Sequence, residues 1–132
     1  MTTVLIIFLG GGLGALSRFG LTKAIGALLP AELPLGTLFV NVLGSFLIGL
    51  VVNLVNAALL HPNWRTMGAV GFIGAFTTFS TYALESMTLM EKRAYGAAFW
   101  NFFLNNGLSF AAVTAGMLLA NVLIAAHRSG SM

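Results

Sequence analysis

The sequence predicts an all-α membrane protein, with four transmembrane helices in a single domain over residues 1–132. Three observations predict it. The chain is 58% hydrophobic and 7% charged, whereas a soluble domain carries roughly 25% charged residues. The mean hydropathy is +0.97. The apolar residues lie in four continuous runs between short polar turns, where a membrane β-barrel would alternate. At roughly 20 residues per span plus turns, this length holds at most about four helical spans.

The first span covers about 3–29 and contains Arg18 and Lys23. Its beginning, "MTTVLIIFLGGGLGALSRF", lacks a positive n-region and an A-x-A cleavage site. It is expected to be a retained span and not a signal peptide. "PAELP" (30–34) ends the first helix and starts the second through its two prolines. The second span covers about 35–60. "HPNWR" (61–65) is a polar turn whose Trp64 suits a membrane interface. The third span covers about 66–90, followed by the charged turn "MEKR" (90–93). The fourth covers about 94–126 and leads into "HRSGSM". No linker, second domain or internal repeat appears.

Four spans put both termini on one side, together with the turn at 61–65. That side carries Arg65 and Arg128. The opposite side carries Lys23, Lys92 and Arg93, plus Arg18 if it counts as flanking. A bias of one or two charges orients the chain weakly. Charge alone therefore leaves two readings, an undetermined topology or a chain that inserts both ways and pairs antiparallel.

Several function classes are excluded. The chain has no cysteine, so disulfides and thiolate metal sites are absent. Six basic and three acidic residues are too few and too scattered for a nucleic-acid footprint. Nucleotide motifs and catalytic constellations are missing. His61 and His127 fall in a turn and a tail. The reading is a non-enzymatic membrane protein.

Polar residues in a span are costly unless they face protein or water. Thr37, Asn41 and Ser45 are spaced four apart on the second span. Asn101, Asn105 and Ser109 repeat that spacing on the fourth. Four residues turn a helix through about 400°, so each set forms one slowly drifting stripe. Such stripes serve helix–helix hydrogen bonding or a hydrophilic track. Gly10/Gly14, Gly11/Ala15 and Ser45/Gly49 are small-xxx-small pairs that let backbones pack closely. Arg18 lies near the far end of the first span. It either snorkels to the headgroups or stays buried as a cation that anchors other helices.

The third span carries the densest polar signal, "GFIGAFTTFSTYALE" (71–85). Thr77, Thr78, Ser80, Thr81 and Tyr82 put five hydroxyls into six consecutive positions, with Glu85 following. Gly71 and Gly74 weaken the helix just before them. A break at mid-membrane would free backbone groups that protein, water or an ion must satisfy. It would also present one positive and one negative helix end. Phe79 and Tyr82 share a face, and their electropositive ring edges can meet an anion. The competing reading has the hydroxyls bonding back to their own helix.

With these motifs the chain resembles the Fluc (CrcB-type) fluoride channels of microbes. The resemblance rests on "GGGLGALSRF" (10–19), "GTLFVNVLGSFLIG" (36–49), "GFIGAFTTFSTYALE" (71–85) and the Asn/Ser stripe of the fourth span, and it covers essentially the whole chain. It implies a multi-pass protein of the cell (inner or plasma) membrane, in contact with lipid. It implies an antiparallel, dual-topology homodimer whose third helix is broken at mid-membrane. Such a dimer carries two pores and exports fluoride passively, protecting the cell from its toxicity. It further implies a structural sodium ion at the dimer interface, held by the backbone carbonyls of Gly74 and Thr77. The implied fluoride pathway comprises Asn41, Phe79, Ser80, Thr81, Tyr82, Glu85, Asn101, Asn105 and Ser109, with Arg18 in a structural or electrostatic role.

One residue departs from the family pattern. The family commonly reads TTFSTF where this chain has "TTFSTY". The Tyr82 phenol can donate to fluoride, or its hydroxyl can find a partner on the second or fourth span. The rival to a channel is a small dual-topology, proton-coupled multidrug-type transporter. That class is expected to carry a coupling carboxylate in the first span. Here the first span has none, and Glu85 is on the third.

Overall fold

A computed structural model describes residues 2–130, and every regular element among them is helical. Helix α1 spans Thr2–Leu28 and α2 spans Leu35–Asn56. The third span is composite: a π-helix, Arg65–Ile73, runs into one α-helical turn, α3 (Gly74–Phe76). After an extended interruption the span resumes as α4 (Phe79–Glu91), and α5 spans Tyr95–Gly130. The four stretches Thr2–Leu28, Leu35–Asn56, Arg65–Glu91 and Tyr95–Gly130 are each long and apolar enough to cross a membrane. At 1.5 Å per residue α5 is about 54 Å long, well beyond a hydrocarbon core of about 30 Å.

Two helix ends differ from the sequence expectation. Helix α2 closes at Asn56 instead of about 60, and α5 continues to Gly130 instead of ending near 126. The α2 end is a Schellman turn. The Ala58 N–H donates to the Val55 carbonyl and the Leu59 N–H to the Leu54 carbonyl, each at 3.0 Å. This requires a left-handed residue, supplied by Ala58 at φ 59°. The α4 end repeats the device with Arg93 at φ 60°. There Arg93 N–H meets Met90 O at 3.0 Å and Ala94 N–H meets Leu89 O at 2.9 Å. Helix α5 runs on into a last turn carrying His127 and Arg128, and the Arg128 cation suits the negative helix end.

Glycine sets the helix spacing. Helices α2 and α5 form the most extensive packed pair. A Cβ on Gly116 would collide with the Phe46 carbonyl oxygen, and one on Gly49 with that of Val113. Helix α1 lies on the π-helix in the same manner. A Cβ on Gly10 would sit 2.6 Å from the Met67 oxygen, and Gly14 abuts the Phe72 carbonyl. These glycine pairs are packing devices, because only a missing side chain lets two backbones approach so closely.

The polarity of the molecule is reversed relative to a soluble domain. Large apolar side chains such as Phe8, Leu16, Phe110 and Leu118 point outward. Thr37, Thr78, Asn101 and Asn105 are buried with a small core of Val40, Ile73 and Phe76. In hydrocarbon this is the stable arrangement, since polar groups find partners only inside.

Candidate functional site

The interruption of the third span organises the site. Thr77 (φ −81°, ψ 157°) and Thr78 (φ −151°, ψ 111°) are extended. The break thus falls after Gly74, which itself remains helical. Asn41 on α2 fixes its position. The Thr78 N–H donates to Asn41 Oδ1 at 2.8 Å, and Asn41 Nδ2 donates to the Thr78 carbonyl at 3.1 Å. One side-chain amide thereby satisfies both backbone groups of Thr78. In an uninterrupted helix the Thr78 N–H would bond the Gly74 carbonyl, so that carbonyl loses its usual partner.

The hydroxyl cluster finishes both helix ends. Thr77 Oγ1 donates to the Ile73 carbonyl at 3.1 Å. Thr78 is the N-cap of α4, and its Oγ1 accepts the Thr81 N–H at 3.3 Å. Thr78 Oγ1 also donates to Thr81 Oγ1 at 2.9 Å and lies 3.5 Å from Ser80 Oγ. Thr and Ser suit this task because a short side-chain oxygen reaches the orphan N–H groups of a helix start. The positive end of α4 therefore opens on the break.

From Asn41 a hydrogen-bonded track runs along α5. Asn41 Nδ2 donates to Asn105 Oδ1 at 3.0 Å, and Asn105 Nδ2 donates to Asn101 Oδ1 at 2.9 Å. Asn101 Nδ2 then donates to Ser86 Oγ, which donates to the Tyr82 carbonyl, each at 2.9 Å. Both Nδ2 protons of Asn41 have partners, as do both of Asn105. An entering anion would have to draw one of them away. The stripe on α2 also reaches α4, where Thr37 Oγ1 donates to Glu85 Oε1 at 2.7 Å. Glu85 Oε2 is buried without a hydrogen-bond partner.

An open groove of about 400 Å³ lies against the break, lined in part by Asn41, Ser45, Thr78, Phe79, Tyr82 and Asn105. Ser109 lines it too, with a buried Oγ that has no hydrogen-bond partner. Phe79 and Tyr82 meet edge to face with ring centroids 5.4 Å apart. Phe79 is 76% exposed and Tyr82 6%, so the pair spans from buried to open. The Tyr82 hydroxyl has found a partner on α5, because Asn106 Nδ2 donates to its oxygen at 2.9 Å.

Arg18 does not simply snorkel. Its Nη1 lies 3.4 Å from the Thr77 carbonyl oxygen, pinning α1 to the break. Among the described residues no group of three His, Cys, Asp or Glu could hold a metal ion. The backbone carbonyls of Gly74 and Thr77 lie at the interruption, the first without its usual helical partner and the second facing Arg18. These are hard oxygen donors suited to a small cation, and a carbonyl bonded once keeps a second lone pair.

Of the third-span candidates, Gly74 lies one helical turn before the break, Thr77 lies in it, and Phe79, Ser80, Thr81, Tyr82 and Glu85 lie beyond it on α4. Asn41, Asn101 and Asn105 join the break through one track, and Ser109 faces the same groove. Sequence reasoning missed Ser86 and Asn106 as members of the network. Ser86 falls outside both stripes, and its only signal is its i+4 relation to Tyr82. Asn106 was visible as the second half of an "NN" doublet. The π-helical winding of Arg65–Ile73 has no signal in the residues beyond their glycines.

Comparison with known proteins fits this arrangement. Residues 5–117 match the family model described as CrcB-like protein, Camphor Resistance (CrcB). A protein of Saccharophagus degradans named fluoride-specific ion channel FluC is 43% identical over 123 residues, covering 91% of this chain and 90% of that protein. A Gloeothece citriformis protein of the same name is 37% identical over 119 residues, covering 90% of this chain and 97% of its own. One from Aeromonas salmonicida is 40% identical over 121 residues, covering 90% and 96% respectively.

Proposed function

Since the chain belongs to the CrcB-like family, we propose that it is a passive, fluoride-selective ion channel that carries fluoride out of the cytoplasm across the cell (inner or plasma) membrane. The observation that carries this reading is the track from Thr78 through Asn41, Asn105 and Asn101 to Ser86, running beside a broken helix in a strongly apolar chain. Fluoride is small and strongly hydrated, so a pore must replace its lost water with closely placed donors. Hydroxyls of Ser109, Tyr82, Ser80 and Thr81, the Asn amides and the positive end of α4 supply such donors. The Phe79 and Tyr82 ring edges add a weaker, electropositive contact.

The physiological logic is electrical. Hydrogen fluoride crosses membranes as a neutral molecule and ionises in a less acidic cytoplasm. A leak for the anion alone then empties the cell without ATP, which protects it from fluoride toxicity.

The complete pore belongs to an antiparallel homodimer with two pathways. The exposed groove and the exposed Phe79 support a second copy seated against the break. A sodium ion at that interface would be held by the Gly74 and Thr77 carbonyls of both copies. When bound it supplies fixed positive charge beside an anion path. Arg18, at the Thr77 carbonyl, fixes one of those oxygens in place.

The rival transporter reading fares worse, because α1 contains no carboxylate and Glu85 lies on α4, bonded to Thr37. The deciding experiment is fluoride efflux from liposomes containing purified protein, read with a fluoride electrode under a potassium–valinomycin shunt. Rapid efflux that spares chloride is expected. Vesicles that retain fluoride, or that move it only with a proton gradient, would overturn the channel reading.

A further inference from the structure

The phenol of Tyr82 raises a separate question. It is 6% exposed, in a groove whose lining is mostly apolar. A buried hydroxyl has one proton to give and lone pairs to fill. The lone-pair side is filled by Asn106 Nδ2 at 2.9 Å. The other Nδ2 proton of Asn106 goes to the Phe102 carbonyl at 2.7 Å, so the amide is anchored to its own helix. The phenolic proton has no acceptor among the described residues. Tyr82 is thus held by its oxygen, with its donor unspent, and it lines the same groove as Ser109, whose hydroxyl is unpartnered.

Building on the fluoride reading above, we propose that Asn106 is a positioning residue for the anion path, fixing the Tyr82 phenol so that its O–H donates to the permeating ion. Two physical effects follow from the geometry. Accepting a hydrogen bond polarises the phenol and strengthens it as a donor. Pinning the oxygen from α5 also removes motion that the anion would otherwise have to arrest on binding. The step at Tyr82 is then a deeper well than a bare ring edge would make. Conduction suffers when a well holds the ion too firmly. Asn106 therefore tunes both fluoride affinity and throughput, without donating to the ion itself.

The test is a double-mutant cycle in proteoliposomes using Asn106→Leu, Tyr82→Phe and the pair, with Asn106→Gln as the donor-conserving variant. Tyr82→Phe is expected to raise fluoride efflux by up to about tenfold, if escape from this step limits transit. Asn106→Leu is expected to raise it severalfold when Tyr82 is present, and by less than about twofold in the Tyr82→Phe background. Asn106→Gln should fall near the parent. Equal effects of Asn106→Leu in both backgrounds would assign Asn106 to packing and overturn the proposal. So would slower efflux through Tyr82→Phe.

A second readout needs no substitution at the site. In a Tyr95→Phe protein Tyr82 is the sole tyrosine. Its ultraviolet Raman doublet should shift toward a donating phenol when fluoride is added, and not when chloride is added. A doublet indifferent to fluoride in a protein that still conducts it would sink the role of Tyr82 and Asn106 while leaving the channel reading intact. A parent protein that moves no fluoride would sink both.

Discussion

Replacing Asn41 by leucine tests the organisation of the break. The substitution keeps side-chain volume and removes three hydrogen bonds, those with the Thr78 N–H, the Thr78 carbonyl and Asn105 Oδ1. In water-free surroundings each lost bond leaves a group unsatisfied. Measured side-chain hydrogen bonds in membrane proteins nevertheless average only about 0.6 kcal/mol, because the chain finds other partners. Three of them amount to about 2 kcal/mol. The available alternative partner for the Thr78 N–H is the Gly74 carbonyl, through an ordinary i to i+4 bond. The loss therefore shifts the balance between broken and continuous third helix about 30-fold toward the continuous form, relative to the parent. A continuous helix withdraws the Gly74 oxygen from any cation and buries the positive end of α4. Fluoride efflux from liposomes containing Asn41→Leu should fall by at least about tenfold. The protein should still elute with the parent in detergent, because the α2–α5 contact through Gly49 and Gly116 is untouched. Hydrogen exchange at the Thr78 amide should change as its partner changes. Parent-like efflux from a variant with an altered Thr78 amide would refute the reasoning, since the break would then be dispensable for transport.

Three further outcomes are expected. Gly116→Val should destabilise the protein by about 1–3 kcal/mol or more, as its Cβ meets the Phe46 carbonyl oxygen and comes within 3.0 Å of Leu50 N; thermal unfolding in detergent measures it, and an unchanged midpoint would mean that α2 and α5 are not packed this closely. Ala58→Gly should stabilise by about 1 kcal/mol or somewhat less, because glycine relieves the left-handed strain at φ 59° while adding unfolded-state entropy; a lowered midpoint would contradict the Schellman geometry. Replacing sodium by N-methylglucamine should lower the unfolding midpoint and slow fluoride efflux, with a linkage of about 2.7 kcal/mol at a hundredfold excess over Kd; identical midpoints in the two cations would remove the sodium site from the proposal.

Much of this protein is legible in its sequence alone. Continuous apolar runs have only one economical fate in a bilayer, so the four helices follow from composition and run length. The i, i+4, i+8 spacing of Asn101, Asn105 and Ser109 put them on one face because helical geometry is periodic. The Gly10/Gly14 pair announced a close approach, although not to which helix. The tertiary structure decided what a one-dimensional pattern cannot hold, namely which partner each polar group takes. Gly71 and Gly74 stand before the break in sequence, yet both stay helical, and the chain opens at Thr77 and Thr78 because Asn41, on another helix, takes the backbone groups of Thr78. Arg18 could have snorkelled, but packing α1 on the π-helix brings its guanidinium within 3.4 Å of the Thr77 carbonyl. The Tyr82 phenol had partners conceivable on two helices, and Asn106 takes its oxygen. In each case local propensity permits several outcomes of similar energy. With no water to satisfy a buried polar group, the long-range partner selects among them.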